Sequence, residues 1–176
     1  LNRWVRTPKL EREIELGRGL SLDININSET GQIESNRRNG VANTHILAHG
    51  DHLVALEEGS HPFSMDPQTL VSEGYGHYAD GIKGAMTAHP KIDPETGELH
   101  GFGYMTDHFG SNTMTYHVID RDGRMLRSDV FEAPYAAMVH DFMITRDYVI
   151  FPLFPLTCDL DRVAQFGFPF DFDRSA

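Results

Sequence analysis

The sequence predicts an all-β protein built from consecutive antiparallel hairpins. Strand-like runs recur along most of the chain, turn residues separate them at regular spacing, and only one short stretch suits a helix. Short strands joined by close turns are typical of sandwiches, barrels and propellers, so the pattern leaves these three architectures open. No internal repeat selects among them.

The first forty residues are polar and weakly patterned. Residues 9–19 predict a short helix, because Leu10, Ile14 and Leu16 are spaced for one face and two glycines follow. Residues 21–40 are rich in Asn, Ser, Thr, Gly and Arg, a composition that indicates a loop.

Strand-like segments begin after Val41 and come in pairs. Asp, Asn, Gly and Pro punctuate the sequence between the members of each pair. The predicted strands are residues 44–48, residues 53–57, two short strands flanking a turn at 92–99, residues 114–119, residues 125–131, residues 138–144 and residues 148–154.

Composition restricts the class of function and the compartment. The formal net charge is -11 and the basic residues are scattered, which argues against nucleic-acid binding. The single cysteine, Cys158, cannot form an internal disulfide, so we expect a reducing, cytoplasmic compartment. The longest apolar stretch, residues 148–156, is too short for a transmembrane helix. The chain begins without Met, so we expect the natural N-terminus to lie upstream.

Ten histidines are candidate metal ligands. Three of them, His45, His49 and His52, are close in sequence, but they straddle a strand and a turn, and a structural role is favoured. Five others are expected to be solvated or hydrogen-bonded: His61, His77, His100, His108 and His117.

His89 and His140 stand in different surroundings. Pro90 removes a backbone donor and favours extended geometry at His89. His140 lies at the start of a predicted strand, and Asp141 beside it should point to the opposite face, which argues against a site of two histidines and this carboxylate. From local pattern alone, a structural role is favoured over metal binding for both histidines.

Glu57 and Glu58 end a predicted strand, so one side chain should point inward and the other outward. A buried carboxylate needs a cationic or N–H partner. A metal-bound imidazole is a suitable partner, because a ligating histidine usually donates its other nitrogen to a carboxylate.

Taken together, these segments resemble the carotenoid cleavage oxygenases. The match runs from about residue 38 to residue 155, and its order and spacing make it highly specific. The matching motifs are Ala42-Asn43-Thr44, His49-x3-Leu53-x-Ala55-Leu56-x-Glu58-Gly59-x2-Pro62, Asp66-Pro67-x-Thr69-Leu70, Thr87-Ala88-His89-Pro90-Lys91-Ile92-Asp93-Pro94-Glu95-Thr96-Gly97-Glu98 and His140-Asp141-Phe142-x-Ile144-Thr145.

The resemblance implies a seven-bladed β-propeller with an Fe(2+) ion on its axis, held by four histidines. It assigns His89 as the first ligand and His140 as the second. Glu58 matches one of three glutamates that orient the ligands, here as the partner of His140. Thr44 matches a residue whose methyl group lies beside the open coordination position. Such enzymes use O2 to cleave an apolar alkene into two carbonyls, and we expect a peripheral membrane contact for substrate uptake.

Two departures from the family pattern follow. The remaining ligands have no match, so residues 1–176 are interpreted as a partial propeller domain that lacks its N-terminal and C-terminal portions. Residues 131–140 and 151–155 look most like the lignostilbene dioxygenase branch. That branch binds the substrate phenol with a lysine before the glutamate and a tyrosine upstream of the threonine. Here Glu57 occupies the lysine position and no tyrosine precedes Tyr75.

The leading interpretation is therefore a dioxygenase that cleaves a C=C bond of a carotenoid or apocarotenoid. A lignostilbene-type dioxygenase is the alternative, and an inactive fragment or a non-catalytic propeller module also remains open. Iron content separates the enzyme from a binding module, because a binding module needs no metal.

Overall fold

The chain folds into antiparallel sheets with two short helices, which confirms the all-β prediction. A computed structural model describes residues 2–20, 24–26, 33–165 and 167–175. The helices within these ranges are α1 (Pro8–Leu16) and α2 (Leu160–Ala164). The strands are β1 (Ile24–Ile26), β2 (Ile33–Ser35), β3 (His45–His49), β4 (His52–Leu56), β5 (Phe63–Met65), β6 (Ser72–Tyr75), β7 (Lys91–Ile92), β8 (Leu99–Tyr104), β9 (Thr113–Ile119), β10 (Met125–Glu132), β11 (Met143–Ile144), β12 (Val149–Ile150), β13 (Leu156–Cys158) and β14 (Phe170–Phe172).

Two four-stranded sheets form the centre of the described structure. One has the order β3-β4-β5-β6 and the other has the order β10-β9-β8-β7, so each strand pairs with its neighbour in sequence. Each sheet has the strand number of one propeller blade. The strand pairs β1–β2, β11–β12 and β13–β14 form separate two-stranded sheets.

Apolar clusters join these sheets and fix the segments between them. One cluster packs Val54 and Leu56 of β4 against Leu99 of β8 and Ile119 of β9, so it connects the two four-stranded sheets. A second cluster packs side chains of β8 and β9 against the segment that precedes β11. Because burial of apolar surface is the main source of stability, these clusters hold the loops between the sheets in place.

The turn between β3 and β4 approaches the turn between β9 and β10 very closely. Gly50 has φ +59°, and a Cβ atom there would lie 2.9 Å from the backbone carbonyl of Asp122. Glycine is required at this position both by the left-handed backbone and by the close approach.

Most predicted elements agree with the structure, and some do not. The predicted helix is α1, which Thr7 caps by accepting a hydrogen bond from the backbone N–H of Leu10. Strands β3, β4, β9 and β10 lie within one residue of their predicted bounds. The prediction of a loop over residues 21–40 agrees with residues 36–40 and is wrong for residues 24–26 and 33–35, because β1 and β2 pair antiparallel there.

The largest error concerns the last predicted strand pair. Residues 138–144 and 148–154 were each expected to be a full strand, but only two residues pair in each, as β11 and β12. The backbone N–H of Met138 donates instead to the carbonyl of Leu156, and Pro152 has no N–H to donate. His140 therefore lies in an extended segment before β11 rather than at a strand start.

In the parts of the chain that the structure describes, no helix has the length and apolar character needed to cross a bilayer.

Candidate metal centre

Two histidines that are 51 residues apart in sequence bring their rings together. The Nε2 atom of His89 lies 3.1 Å from the Nε2 atom of His140, and the ring centroids are 4.7 Å apart. His89 precedes β7, and His140 precedes β11. The sheet β10-β9-β8-β7 thus connects the two histidines. His89 lies in the turn before its edge strand β7, and His140 lies in the segment that packs on β8 and β9.

Each histidine is placed by its immediate neighbours. The backbone N–H of His89 donates to Oγ1 of Thr87 at 3.0 Å, and the N–H of Thr87 donates to the carbonyl of Phe102 on β8. Val139 and Phe142 flank His140 on either side and are each 2% exposed within the second apolar cluster. Burial of these neighbours holds the segment while the His140 side chain stays 58% exposed.

Glu58 holds the other nitrogen of His140. One carboxylate oxygen, Oε1, accepts from Nδ1 of His140, and Oε2 accepts from the hydroxyl of Tyr104 at 2.9 Å. Because Nδ1 carries the proton, the neutral ring presents the Nε2 lone pair towards His89. Burial and the charge of Glu58 raise the pKa of Tyr104, so its hydroxyl stays protonated and donates.

The donor set fits a metal ion bound by imidazole. Metal–nitrogen bonds of about 2.1 Å at right angles separate two ligand nitrogens by about 3.0 Å, close to the observed spacing of His89 and His140. Imidazole suits iron(II) among other metals, and the carboxylate on Nδ1 is the usual partner of a ligating histidine. Within the described residues, no group of three or more His, Cys, Asp or Glu side chains could hold a metal ion. His89 and His140 are therefore the candidate ligands in the described part of the chain.

An ion pair bridges the two histidine-bearing segments. Nζ of Lys91 donates to Oδ1 of Asp141 at 2.8 Å, and the ammonium group also lies 5.6 Å from the ring centroid of Phe142. Lys91 follows His89 by two residues and Asp141 follows His140 directly. The Asp141 carboxylate is thus engaged with Lys91.

Thr44 lies next to the turn that carries His89. Its backbone N–H donates to the carbonyl of Leu56 at 3.1 Å, and Nδ1 of the adjacent His45 donates to the carbonyl of Ala88 at 2.8 Å. The rings of His45 and His89 stack with centroids 6.4 Å apart. Thr44 also lines an open groove whose other walls are mostly apolar, formed by Trp4, Val5, Leu10, Val41 and Ile46 among others.

The Glu57 carboxylate already has a hydrogen-bond partner within the chain. Its Oε2 atom accepts from the backbone N–H of Gly59 at 3.0 Å, and the carboxylate lies against Gly40. Burial lowers the pKa of the half-buried Arg37 guanidinium, and the charge of Glu57 acts in the opposite direction. Strand β4 ends at Leu56, one residue before its predicted end, and both glutamates are half-buried after it. Glu58 contacts His140, whereas Glu57 contacts the backbone of Gly59.

The two buried histidines among the described residues, His49 and His117, have both ring nitrogens engaged by the chain. Nε2 of His49 donates to the carbonyl of Gly97 at 2.9 Å, and its Nδ1 accepts from the hydroxyl of Tyr78 at 2.7 Å. His117 is fully buried, with Nδ1 3.0 Å from Oγ of Ser128 and Nε2 3.2 Å from the carbonyl of Ala85. Burial lowers the pKa of His117 to about 4.

Sequence reasoning missed Tyr104 and Arg37 as members of this site. Tyr104 follows Phe102 by two residues on β8, so strand alternation places both on one face. That signal was available, but nothing local to Tyr104 indicates that its hydroxyl meets Glu58, which is 46 residues away in sequence. Arg37 lies in the stretch that was interpreted as loop.

Comparisons with known proteins identify the family of this chain. A protein-family model described as "Retinal pigment epithelial membrane protein" matches residues 1–176. Carotenoid cleavage oxygenase 1 of Neurospora crassa is 40% identical over 174 residues, which cover 98% of this chain and 33% of that protein. Isoeugenol monooxygenase of Pseudomonas putida is 36% identical over 165 residues, covering 93% of this chain and 34% of that protein.

Solved structures show the same likeness. The lignostilbene dioxygenase of Pseudomonas brassicacearum superposes with a TM-score of 0.81 at 37% identity, over 97% of this chain and 36% of that chain. A cobalt-substituted ACO of Synechocystis superposes with a TM-score of 0.70 at 28% identity, over 97% of this chain and 39% of that chain. The chain spans about a third of the length of the curated relatives it matches. It belongs to the carotenoid cleavage oxygenase family, and its sheets are part of that family's β-propeller.

Proposed function

We propose that the full-length protein is a non-haem iron(II) oxygenase that uses O2 to cleave a carbon–carbon double bond of an apolar alkene into two carbonyl products. The observation that carries this proposal is the facing pair of Nε2 atoms on His89 and His140, 3.1 Å apart, with Glu58 on the far side of one ring. Membership of an oxygenase family supports the reaction class.

The residues of this chain prepare the site in three ways. His89 and His140 offer uncharged nitrogen ligands. Unlike carboxylate or thiolate ligands, these do not neutralise the positive charge of a bound cation. Glu58 keeps the proton of His140 on Nδ1 and offsets part of that positive charge. Iron(II), when bound, supplies the redox chemistry that lets O2 react with an alkene. Thr44 stands beside the histidine turn, where its methyl group would limit access to an open coordination position.

The apolar groove beside Thr44 supports an apolar substrate. Trp4, Val41 and Ile46 are exposed there, and contact with an alkene chain would remove their surface from water. An alkene of this kind partitions into membranes, so the proposal includes a peripheral membrane contact through which the protein takes up its substrate.

A carotenoid or apocarotenoid is the first candidate substrate. Glu57 stands where the lignostilbene branch has a lysine, and an anionic group beside a phenolate would repel it. The second candidate is an aryl alkene. It is favoured by the similarity of this chain to isoeugenol monooxygenase and lignostilbene dioxygenase, with a TM-score of 0.81 to the latter.

Kinetics on the iron-loaded, full-length protein test the reaction and separate the two substrates. We expect alkene-dependent O2 consumption and two carbonyl products, with kcat/KM higher for an apocarotenoid than for a 4-hydroxystilbene. A purified protein that holds no iron and turns over neither alkene would contradict the proposal and favour a non-catalytic propeller.

Glu57→Lys tests the basis of the substrate preference. It should raise kcat/KM for the hydroxystilbene relative to the apocarotenoid, by at most about 10²–10⁴-fold, the range of a positioned acid or base. Glu57→Gln is the matched control, because it removes the negative charge without adding a cation. Efficient cleavage of hydroxystilbene by the unmodified protein would show that another residue holds the phenol.

A further inference from the structure

We propose that Tyr104 is a positioning residue for the histidine pair: its hydroxyl fixes the Glu58 carboxylate, and Glu58 in turn fixes the ring of His140. The inference rests on the proposed function, because it concerns how the metal site is held. It adds a residue outside the histidines and glutamates that the family resemblance implies.

The two oxygens of Glu58 have different partners, and this difference carries the argument. Oε1 accepts from Nδ1 of His140, and Oε2 accepts from the hydroxyl of Tyr104 at 2.9 Å. A carboxylate with one directional bond can rotate about its side-chain torsions, whereas two bonds in different directions define the plane of the group. The phenol is a suitable anchor, because a tyrosine has only two side-chain torsions and its ring is packed.

The backbone directly after Tyr104 has a constrained conformation, and this helps to direct the Tyr104 hydroxyl towards Glu58. Met105 follows Tyr104 directly, is buried and has φ +50°. A non-glycine residue in this left-handed region is kept only where the surrounding structure determines it. The chain therefore leaves β8 in a bend that sets the direction of the Tyr104 side chain.

Arg37 ties the tyrosine and the glutamate to each other. Its guanidinium donates from Nη2 to the carbonyl of Met105 at 2.6 Å and from Nη1 to the carbonyl of Gly59 at 2.9 Å. Met105 follows Tyr104, and Gly59 follows Glu58. One planar group thus spans the two backbone segments whose side chains meet, so the distance between the hydroxyl and the carboxylate is set from both sides.

Matched substitutions can separate the contribution of the Tyr104 hydroxyl from that of its ring. The ring of Tyr104 packs against the second apolar cluster, and so does the ring of Tyr116 on β9. The hydroxyl of Tyr116 also contacts a histidine, Nδ1 of His100 at 2.6 Å, but that histidine is not part of the pair. Tyr104→Phe and Tyr116→Phe therefore remove the same atom, each from a tyrosine of the same apolar cluster.

Cobalt(II) titration of the metal-free, full-length protein tests the inference without using catalysis. We expect Tyr104→Phe to weaken cobalt(II) binding by about 10–100-fold, as for partners of metal-bound histidines. Its visible ligand-field bands should also shift, because the His140 ring is no longer held in one orientation. Tyr116→Phe should bind and absorb like the unmodified protein. Retention of iron(II) against a chelator should follow the same order.

A double substitution shows whether Tyr104 acts through Glu58. In a Glu58→Gln background, Tyr104→Phe should cause no further loss of cobalt(II) affinity, since the group that it positions is already altered. Equal affinity and equal spectra for Tyr104→Phe and the unmodified protein would overturn the inference and leave the proposed function standing. A further loss in the Glu58→Gln background, or an equal loss in Tyr116→Phe, would overturn it in favour of general packing. Failure of the unmodified protein to bind cobalt(II) or iron(II) would overturn both proposals.

Discussion

Two groups of histidines show that separation along the chain does not determine which rings meet. One group is close in sequence but its rings have separate partners, and the other is far apart in sequence but its rings face each other. His45, His49 and His52 lie within eight residues of one another, on β3 and β4. Their side chains are engaged separately, by the carbonyl of Ala88, by Gly97 with Tyr78, and by Glu73. His89 and His140 are 51 residues apart, yet their Nε2 atoms face each other at 3.1 Å.

The difference lies in which nitrogen is left for a ligand. His49 donates from one nitrogen and accepts at the other, so no lone pair of its ring is available. His140 donates a hydrogen bond from Nδ1 to the Glu58 carboxylate and keeps the Nε2 lone pair. A free ring nitrogen is therefore necessary for a ligand but not sufficient, and His89 and His140 differ from the other group because their Nε2 atoms face each other.

The largest expected effect is the loss of a ligand from the facing pair. In the full-length protein, His140→Ala should weaken iron(II) binding by more than about 100-fold, beyond the range for a residue that only supports a ligand. His49→Ala is the control from the other group and should leave iron(II) affinity unchanged. Metal analysis after dialysis against a chelator measures both, and equal iron contents would remove the distinction between the groups.

The carboxylate partner should have the next largest effect. Glu58→Gln keeps the size of the side chain but removes its charge, and we expect iron(II) affinity to fall by about 10–100-fold. Glu73→Gln makes the same change beside His52, 3.2 Å from its ring, and should have no effect on iron. If both variants retain iron like the unmodified protein, Glu58 does not support the site.

Loss of the Tyr78 hydroxyl should affect stability and leave the metal site unchanged. Tyr78 is 2% exposed, and its hydroxyl donates to Nδ1 of His49. Tyr78→Phe leaves that buried nitrogen without a donor, so we expect the free energy of unfolding to fall by about 1–3 kcal/mol. Urea denaturation gives the stability and chelator resistance gives the metal affinity. A loss of iron from this variant would connect the two histidine groups.

The smallest expected effect is the acid sensitivity that comes from His117, which belongs to neither group. Burial lowers the pKa of His117 from 6.5 to about 4. On acidification the unfolded chain takes up this proton near pH 6.5 and the folded chain only near pH 4, so stability is lost as pH falls between these values. We expect a loss of about 1–2 kcal/mol between about pH 7 and pH 5.

His117→Gln tests this assignment, and His77→Gln at an exposed position is the control. Urea denaturation at several pH values should show a flatter pH dependence for His117→Gln and an unchanged one for His77→Gln. The same slope in all three proteins would mean that the acid sensitivity comes from other groups.

The long strands, the helix α1 and the short strand β7 beside its turn could be predicted from the sequence, whereas other short strands could not. In β9, apolar and β-branched residues continue for a whole strand between turn residues. Strands β5 and β6 have three and four residues, too few for a period to be visible. Residues 138–142 are apolar enough for a strand, but their partner is the distant segment that contains Leu156, and single-sequence patterns do not report such pairing.

The candidate site shows the same limit. The motifs around His89 and His140 could be recognised, and the pairing of Glu58 with His140 was expected from the resemblance. The contacts of Tyr104 and Arg37 could not be predicted, because each joins residues far apart in sequence through a bend at Met105. Such contacts arise from tertiary packing, so they leave no periodic pattern in the nearby sequence from which they could be predicted.

The separation of His89 and His140 along the chain has a consequence for the mechanics of unfolding. An ion held by both rings would close a loop of 51 residues that contains the whole β7–β10 sheet. If the bound ion is treated as a covalent cross-link, closing a loop of this length lowers the entropy of the unfolded chain and adds about 4 kcal/mol to the free energy of unfolding. The ion would therefore also stabilise this four-stranded sheet. Amide hydrogens of β8 and β9 would then exchange more slowly in the metal-loaded protein than in the metal-free protein.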